Sequence, residues 1–304
     1  MAEWVAIANA KAGTSSADEV ETALRLLREQ HDVRLEETED ADDLAAVLRD
    51  VADGTVVVAL GGDGSLHAVV TVLDEVGRLG DVVLALVPHG TGNDFARTIG
   101  MDRDDSADAA RQLLAAREVS IDLVRDDRGR PVVNAVHVGI GAEAAVEAKP
   151  WKKALGPVGY AIGAIISGVK HKGFRGTVVI DDQPVPDRGR IIQVAVGNGR
   201  YIGGGAPLLP EADPGDGLLD VAISWSNPRL RRLAYAWRLR KGRHPQRDDV
   251  EYVKATRVSV TGDETRGNLD GEVCPPSRRH AWTVEPAAFR MLVPHDEDRA
   301  EPTG

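Results

Sequence analysis

The chain has 304 residues, 42% hydrophobic and 28% charged, a balance that excludes disordered and fibrous classes. Its 48 acidic and 37 basic residues give a net charge of −11, which argues against general nucleic-acid binding, an affinity built on cationic neutralisation of phosphates. Cys274 is the single cysteine, so no internal disulfide or multi-thiolate zinc site can form. The N-terminus MAEWVAIANA lacks the basic and apolar regions of a signal peptide, and no apolar run approaches the ~20 residues of a membrane span. These features together predict a soluble, cytoplasmic protein. Only 8 of the 37 basic residues are Lys, which fits a salt-rich cytoplasm and fits an Arg-biased genome equally well.

From Trp4 to about Arg125, short apolar runs alternate with amphipathic stretches. Val5–Ala8, Val33–Glu37, Thr55–Leu60 and Val82–Val87 read as strands. Ala17–Glu29, Leu44–Val51 and Leu66–Val76 carry apolar residues at three- and four-residue spacing and read as helices. This alternation predicts βαβ units in a doubly wound parallel sheet. The texture then changes. Ile121–Val124, Val132–Val138, Gly176–Ile180, Ile191–Val196, Leu218–Ser224, Thr256–Val260 and Ala281–Val284 are β-branched runs bounded by turn residues, predicting a sandwich or barrel. Two helices, Leu155–Val169 and Pro228–Lys241, interrupt it, and the polar tail His295–Gly304 is expected to be disordered.

Ligands of open α/β sheets bind beyond the carboxyl ends of strands, and two loops fall there. Gly61-Gly62-Asp63-Gly64-Ser65 follows an unbroken apolar strand and opens a helix, with Ser65 as the expected cap. Its glycines let backbone approach a ligand, and helix amides attract phosphate. Asp63 in such a loop requires a divalent cation between itself and the phosphate, a task suited to Mg2+. By itself this motif also fits a capped strand–helix turn. The second loop, Pro88–Arg97, brings paired glycines, Thr91, Asn93 and Asp94 to the end of the next strand, with Asn93 or Asp94 expected to cap a helix through Phe95–Ile99.

Together these residues resemble the diacylglycerol kinase catalytic-domain family, bacterial-type lipid kinases related to sphingosine and ceramide kinases. Asn9–Gly13 resembles the family's opening motif, with Ala10 where proline is usual. Gly61–Ser65 and Pro88–Arg97 resemble its two phosphate loops, and Val133–Glu143, Gly203–Pro207, Asp213–Asp220 and Asp270-Gly271-Glu272 resemble later signatures. The resemblance implies an α/β domain similar to that of NAD kinases and phosphofructokinases, formed by residues 1–125 and 287–304. Residues 126–286 would form a β-sandwich for the lipid, with Phe289–Pro294 returning as a strand of the first domain.

It also implies ATP and Mg2+ as donor and cofactor, with Asn9, Lys11, Thr38, Gly61, Gly62, Gly64, Ser65, Gly90, Thr91, Gly92 and Asn93 contacting nucleotide. Phosphorylating an alcohol needs a phosphate cradle, charge neutralisation and a base. Asp63 and Asp94 are candidates for holding the metal. Glu272 is the expected general base and Asp270 is expected to position nucleotide or metal; a competing assignment gives the base to Asp63. Asp213, Asp216 and the backbone of Leu218 resemble a secondary, structural magnesium site. One departure stands out: His67 and Ala68 occupy positions where the family carries an amide and a Glu.

The chain is therefore expected to phosphorylate diacylglycerol or a related lipid alcohol. A homodimer is the default for its assembly. The basic amphipathic stretch Pro228–Lys241 either rests on the inner face of the membrane or covers the sandwich. An NAD kinase-like enzyme and a nucleotide-binding regulator without turnover are the alternatives. A dinucleotide-binding oxidoreductase, suggested by Gly139–Ala144, ranks low because that motif lies in the β-rich half without a downstream ribose-binding acid.

Overall fold

The computed structural model describes residues 3–10, 17–89, 92–139, 142, 172–225 and 229–295. Its first half is an α/β domain. Strands β1 (Trp4–Asn9), β2 (Val33–Thr38), β3 (Val56–Leu60) and β4 (Val83–Val87) run parallel in the order β2–β1–β3–β4. Every residue of β3 and β4 is buried, and strand side chains alternate between faces, so both faces of the sheet are covered. The cover comes from α1 (Ala17–Arg28) packed beside α5 (Ser106–Leu114), and from α2 (Ala41–Asp50) beside α3 (Asp63–Glu75). The short α4 (Asp94–Ile99) follows the second loop.

The second half is a β-sandwich, as its turn-punctuated runs predict. One layer is an antiparallel sheet in the order β12 (Val250–Ala255), β11 (Leu219–Trp225), β10 (Ile191–Gly197), β7 (Ala135–Gly139), β14 (Gly267–Leu269), β15 (Glu272–Val273). The other comprises β8 (Gly176–Ile180), β9 (Gln183–Pro184), β13 (Arg257–Thr265) and β16 (Ser277–Val293). Val136, Val194, Val221 and Ile223 of the first layer meet Val178, Val258, Val260 and Trp282 of the second in one buried cluster.

The second layer and the parallel sheet form one hydrogen-bonded sheet, while the first layer is a sheet of its own. β16 pairs with β13 near its start, and near its end Arg290 and Met291 pair in parallel with Val83 and Leu84 of β4. β5 (Arg117–Asp126) pairs with β16 on both sides of a bulge between Glu285 and Phe289. The expected strands Ala281–Val284 and Phe289–Pro294 are thus parts of one continuous element. Glu285-Pro286-Ala287-Ala288 interrupts the apolar pattern because the strand bulges there, with Ala287 at φ 50° and its amide on Asp122 Oδ1 at 2.8 Å.

Val132–Val138 departs from expectation in the opposite way. It splits into β6 (Pro131–Val132) and β7, because the amides of Val133, Asn134 and Ala135 turn toward Asp270. The predicted helix Leu155–Val169 lies outside the described residues, as do 296–304 of the tail. Pro228–Lys241 forms α6 (Arg229–Arg240), with Pro228 outside the described residues. No helix among the described residues is long and apolar enough to cross a membrane.

Candidate active site

Register alone assembles one side of the site. Asn9 pairs with Thr38 at the ends of β1 and β2, Ala8 with Leu60, and Leu60 with Val87, so the two glycine loops and Asn9 leave the sheet on a common rim. In the order β2–β1–β3–β4 the chain's direction of travel reverses between β1 and β3, the crevice where such sheets bind ligands. A cleft of about 710 Å³ opens there, lined by Asn9, Thr38, Gly62, Gly64 and Ser65 from this half and by Glu272 from the sandwich. That volume suits a nucleotide-sized ligand.

The first loop is held tightly. The amide of Gly61 donates to Val87 O at 3.1 Å, and the amide of His89 returns a bond to Gly61 O at 3.1 Å. A Cβ on Gly61 would lie 2.1 Å from Ser65 Oγ, so the residue must be glycine for Ser65 to fold back beneath it. Gly62, not Ser65, is the N-cap of α3, and no side chain caps that helix; Ser65 already lies in its first turn. The uncapped amides and the helix dipole face the cleft, which is the arrangement that accepts a phosphate.

Asp63 has a different partner from the one the sequence suggests. Its Oδ2 accepts the amide of Asp94 and its Oδ1 the amide of Phe95, both at 2.9 Å. Asp63 therefore caps α4 from a neighbouring loop. Neither Asn93 nor Asp94 does so, since Asn93 sits at the N-cap in the left-handed region at φ 51° without a side-chain cap bond. Gly92 packs against the same carboxylate, where a Cβ would stand 3.1 Å from Asp63 Oδ2. Asp94 is buried and turns to the sandwich, its carboxylate accepting the Gly204 amide at 2.9 Å. Burial raises its pKa, and the nearby charge of Asp63 adds to the rise.

The Asp270–Glu272 turn arrives from the other side. Asp270 adopts φ 45° and Gly271 φ 95°, a tight reversal between β14 and β15. The Asp270 carboxylate accepts three amides, from Val133 at 2.7 Å and from Asn134 and Ala135 at 3.0 Å. Its Oδ2 also accepts from Nδ1 of His67, on α3, at 3.0 Å. With its side chain only 2% exposed, Asp270 faces protein instead of the nucleotide or metal it is expected to meet. Its hydrogen bond raises the His67 pKa against the opposing pull of burial. Glu272, two residues on, is exposed in the cleft and also borders an adjoining cavity of about 350 Å³.

Lys11, Gly90 and Thr91 lie outside the described residues. Asp213, Asp216 and Leu218 sit away from this cleft, in the turn before β11. Sequence reasoning registers His67 only as a departure; its pairing with Asp270 leaves no local pattern. Asp122, buried under the β16 bulge, leaves none either.

A bound Mg2+ commonly takes one or two carboxylates plus phosphate oxygens, so it needs no cage of protein ligands. Among the described residues no three acidic, His or Cys side chains cluster as a metal cage. Asp63 uses one lone pair of each oxygen on α4 and keeps others, a donor set that fits a metal shared with a triphosphate.

A parallel sheet with glycine loops on its rim, closed by a sandwich that delivers an acidic turn, is the architecture of the diacylglycerol kinase-like class. The family model for the diacylglycerol kinase catalytic domain matches residues 3–125, and that for the YegS C-terminal NAD kinase beta sandwich-like domain matches residues 134–293. A protein of Stenotrophomonas maltophilia named "Probable lipid kinase YegS-like" is 35% identical over 312 residues, covering 96% of each chain. A Mycobacterium tuberculosis "Diacylglycerol kinase" is 30% identical over 251 residues, 80% of this chain and 79% of that one. The crystal structure of a diacylglycerol kinase from Bacillus anthracis superposes with TM-score 0.71 at 20% identity and covers 96% of both chains. The chain belongs to this lipid kinase family.

Proposed function

We propose that the protein transfers the γ-phosphoryl group of ATP to the hydroxyl of a lipid alcohol, diacylglycerol or a related lipid, with Mg2+ as cofactor. The observation that carries this reading is the presence of Glu272 in the same cleft as the uncapped end of α3. Asn9 and Thr38 lie where the nucleoside would rest, and the amides at Gly62–Gly64 cradle the phosphates. Mg2+, held by Asp63 and phosphate oxygens, would neutralise charge on the transferring group. Glu272 accepts the proton of the attacking hydroxyl. Among the candidate bases it is the exposed one, whereas Asp63 is half-buried, caps α4 and in this reading spends its remaining lone pairs on the metal.

In this reading residues 1–125 and 287–304 bind nucleotide and residues 126–286 bind the lipid. The protein works in the cytoplasm and meets its acceptor at the membrane face through α6. Phosphoryl transfer from labelled ATP to a panel of extracted lipids tests the proposal. Glu272→Gln should lower kcat by about 10²–10⁴-fold, the range for loss of a general base, with the melting temperature unchanged. Transfer to NAD in place of lipid would move the chain to the NAD kinase-like reading. ATP binding without transfer to any acceptor would make it a regulator, the reading favoured by Ala68 at the cleft wall.

A further inference from the structure

Asp213, Asp216 and Leu218, the expected holders of a structural magnesium ion, do not form a site for one. Asp213 is exposed, with Oδ1 on the Gly215 amide at 3.1 Å. Leu218 presents its amide, not its carbonyl, to Asp216 Oδ1 at 3.0 Å. The other oxygen of Asp216 is paired with the ammonium of Lys254. The same ammonium stands 3.5 Å from Oδ2 of Asp220. Asp220 is 0% exposed, and its second oxygen accepts the Tyr252 hydroxyl at 2.8 Å.

Lys254 reaches this position by register, since it lies directly opposite Asp220 across the β11–β12 ladder. Two carboxylates, one of them buried, are costly to bring together without a cation between them. We propose that the Lys254 ammonium is the built-in cation of the 213–220 turn, standing in for the divalent ion so that the turn is stable without metal. The stake lies beyond the turn. Pro214 O accepts the Asp122 amide at 2.7 Å, and the Gly217 amide donates to Asp122 Oδ2 at 2.6 Å. The remaining oxygen of Asp122 holds Ala287 in the β16 bulge. A single charge on Lys254 thus steadies the turn that steadies the strand shared by both halves.

Thermal melting of the full chain without nucleotide, in millimolar MgCl2 or in EDTA, tests this independently of kinase activity. The wild-type melting temperature should be the same in both buffers. Lys254→Met, which keeps the aliphatic stem, should melt on the order of 5 °C lower in EDTA and recover part of the loss with Mg2+. Lys254→Arg should keep the wild-type indifference. A wild-type melting temperature that rises with Mg2+, with the rise abolished in Asp216→Asn, would overturn the proposal. So would a Lys254→Met protein that melts like wild type in EDTA. The wild-type comparison needs no variant to fold.

Discussion

Asp270 and Glu272 flank a single glycine yet serve different halves of the molecule. Asp270 spends its carboxylate on three amides of its own sandwich and on His67 of the facing domain, and in doing so fixes where Glu272 emerges. The His67 bond carries a pH signature. The pKa of His67 is raised above 6.5, chiefly by the hydrogen bond to Asp270. The folded state therefore favours the protonated ring, and its contribution is complete below the unfolded pKa and fades as pH rises through the folded one. The stability difference between wild type and His67→Asn should be larger near about pH 5.5 than near about pH 8.5. Urea unfolding at the two pH values measures it, and a difference that is flat with pH would remove the charge from this contact. At this scale the sequence shows which residue types matter but not how they divide the work. An Asp-Gly-Glu string looks alike whichever carboxylate faces inward, and the amides that decide the matter lie in Val133–Ala135.

α4 is capped across loops, whereas α2, which also borders the cleft, is capped within its own loop by Asp40. α4 has only six residues, and its first amides are satisfied by Asp63 from the start of α3. The two glycine loops therefore behave as one unit. Asp63→Ala should cost about 1–2 kcal/mol of stability, the upper range for loss of an N-cap, in addition to abolishing transfer. Asp63→Asn keeps one oxygen to cap α4 and should lose less stability while remaining inactive. Equal unfolding midpoints for the two variants would show that the capping contributes nothing. The sequence reading starts α4 within a residue of its place and α3 three residues late, at Leu66 for Asp63, and it misses both caps, because local cap rules look no farther than the next three residues. α6 poses a separate question. Trp237 on it is 58% exposed, with the Lys241 ammonium 4.4 Å from the ring centroid, while Leu239 packs against the sandwich. A helix that both covers the sheet and presents an aromatic–basic tip suits contact with anionic lipid. Trp237→Ala should weaken sedimentation with vesicles rich in phosphatidylglycerol and leave the melting temperature unchanged; undiminished binding would assign α6 to the cover alone.

The parallel sheet was legible because strands buried on both faces read as unbroken apolar runs, as Val56–Leu60 and Val83–Val87 do. The sandwich was legible from its turns. What could not be read was the way the halves are joined, since the bulge at Glu285–Ala288 breaks the apolar pattern where the strand itself continues. That continuity has a thermodynamic consequence. β16 lends Phe289 and Met291 to the core of the α/β domain and Trp282 to the core of the sandwich, so neither core is complete without the same strand. β5 likewise contributes Ile121 and Leu123 to the first core and Val124 to the second. Two domains joined by a linker would melt independently, whereas two cores sharing two strands must lose both together. Calorimetry should show a single transition whose van't Hoff and calorimetric enthalpies agree. A fragment ending at Arg125 should not fold, because it lacks Phe289 and Met291 and leaves β4 and β5 without the strand between them. Two resolved transitions in the full chain, or a cooperatively folded 1–125 fragment, would show instead that β16 is an ornament on an already stable sheet.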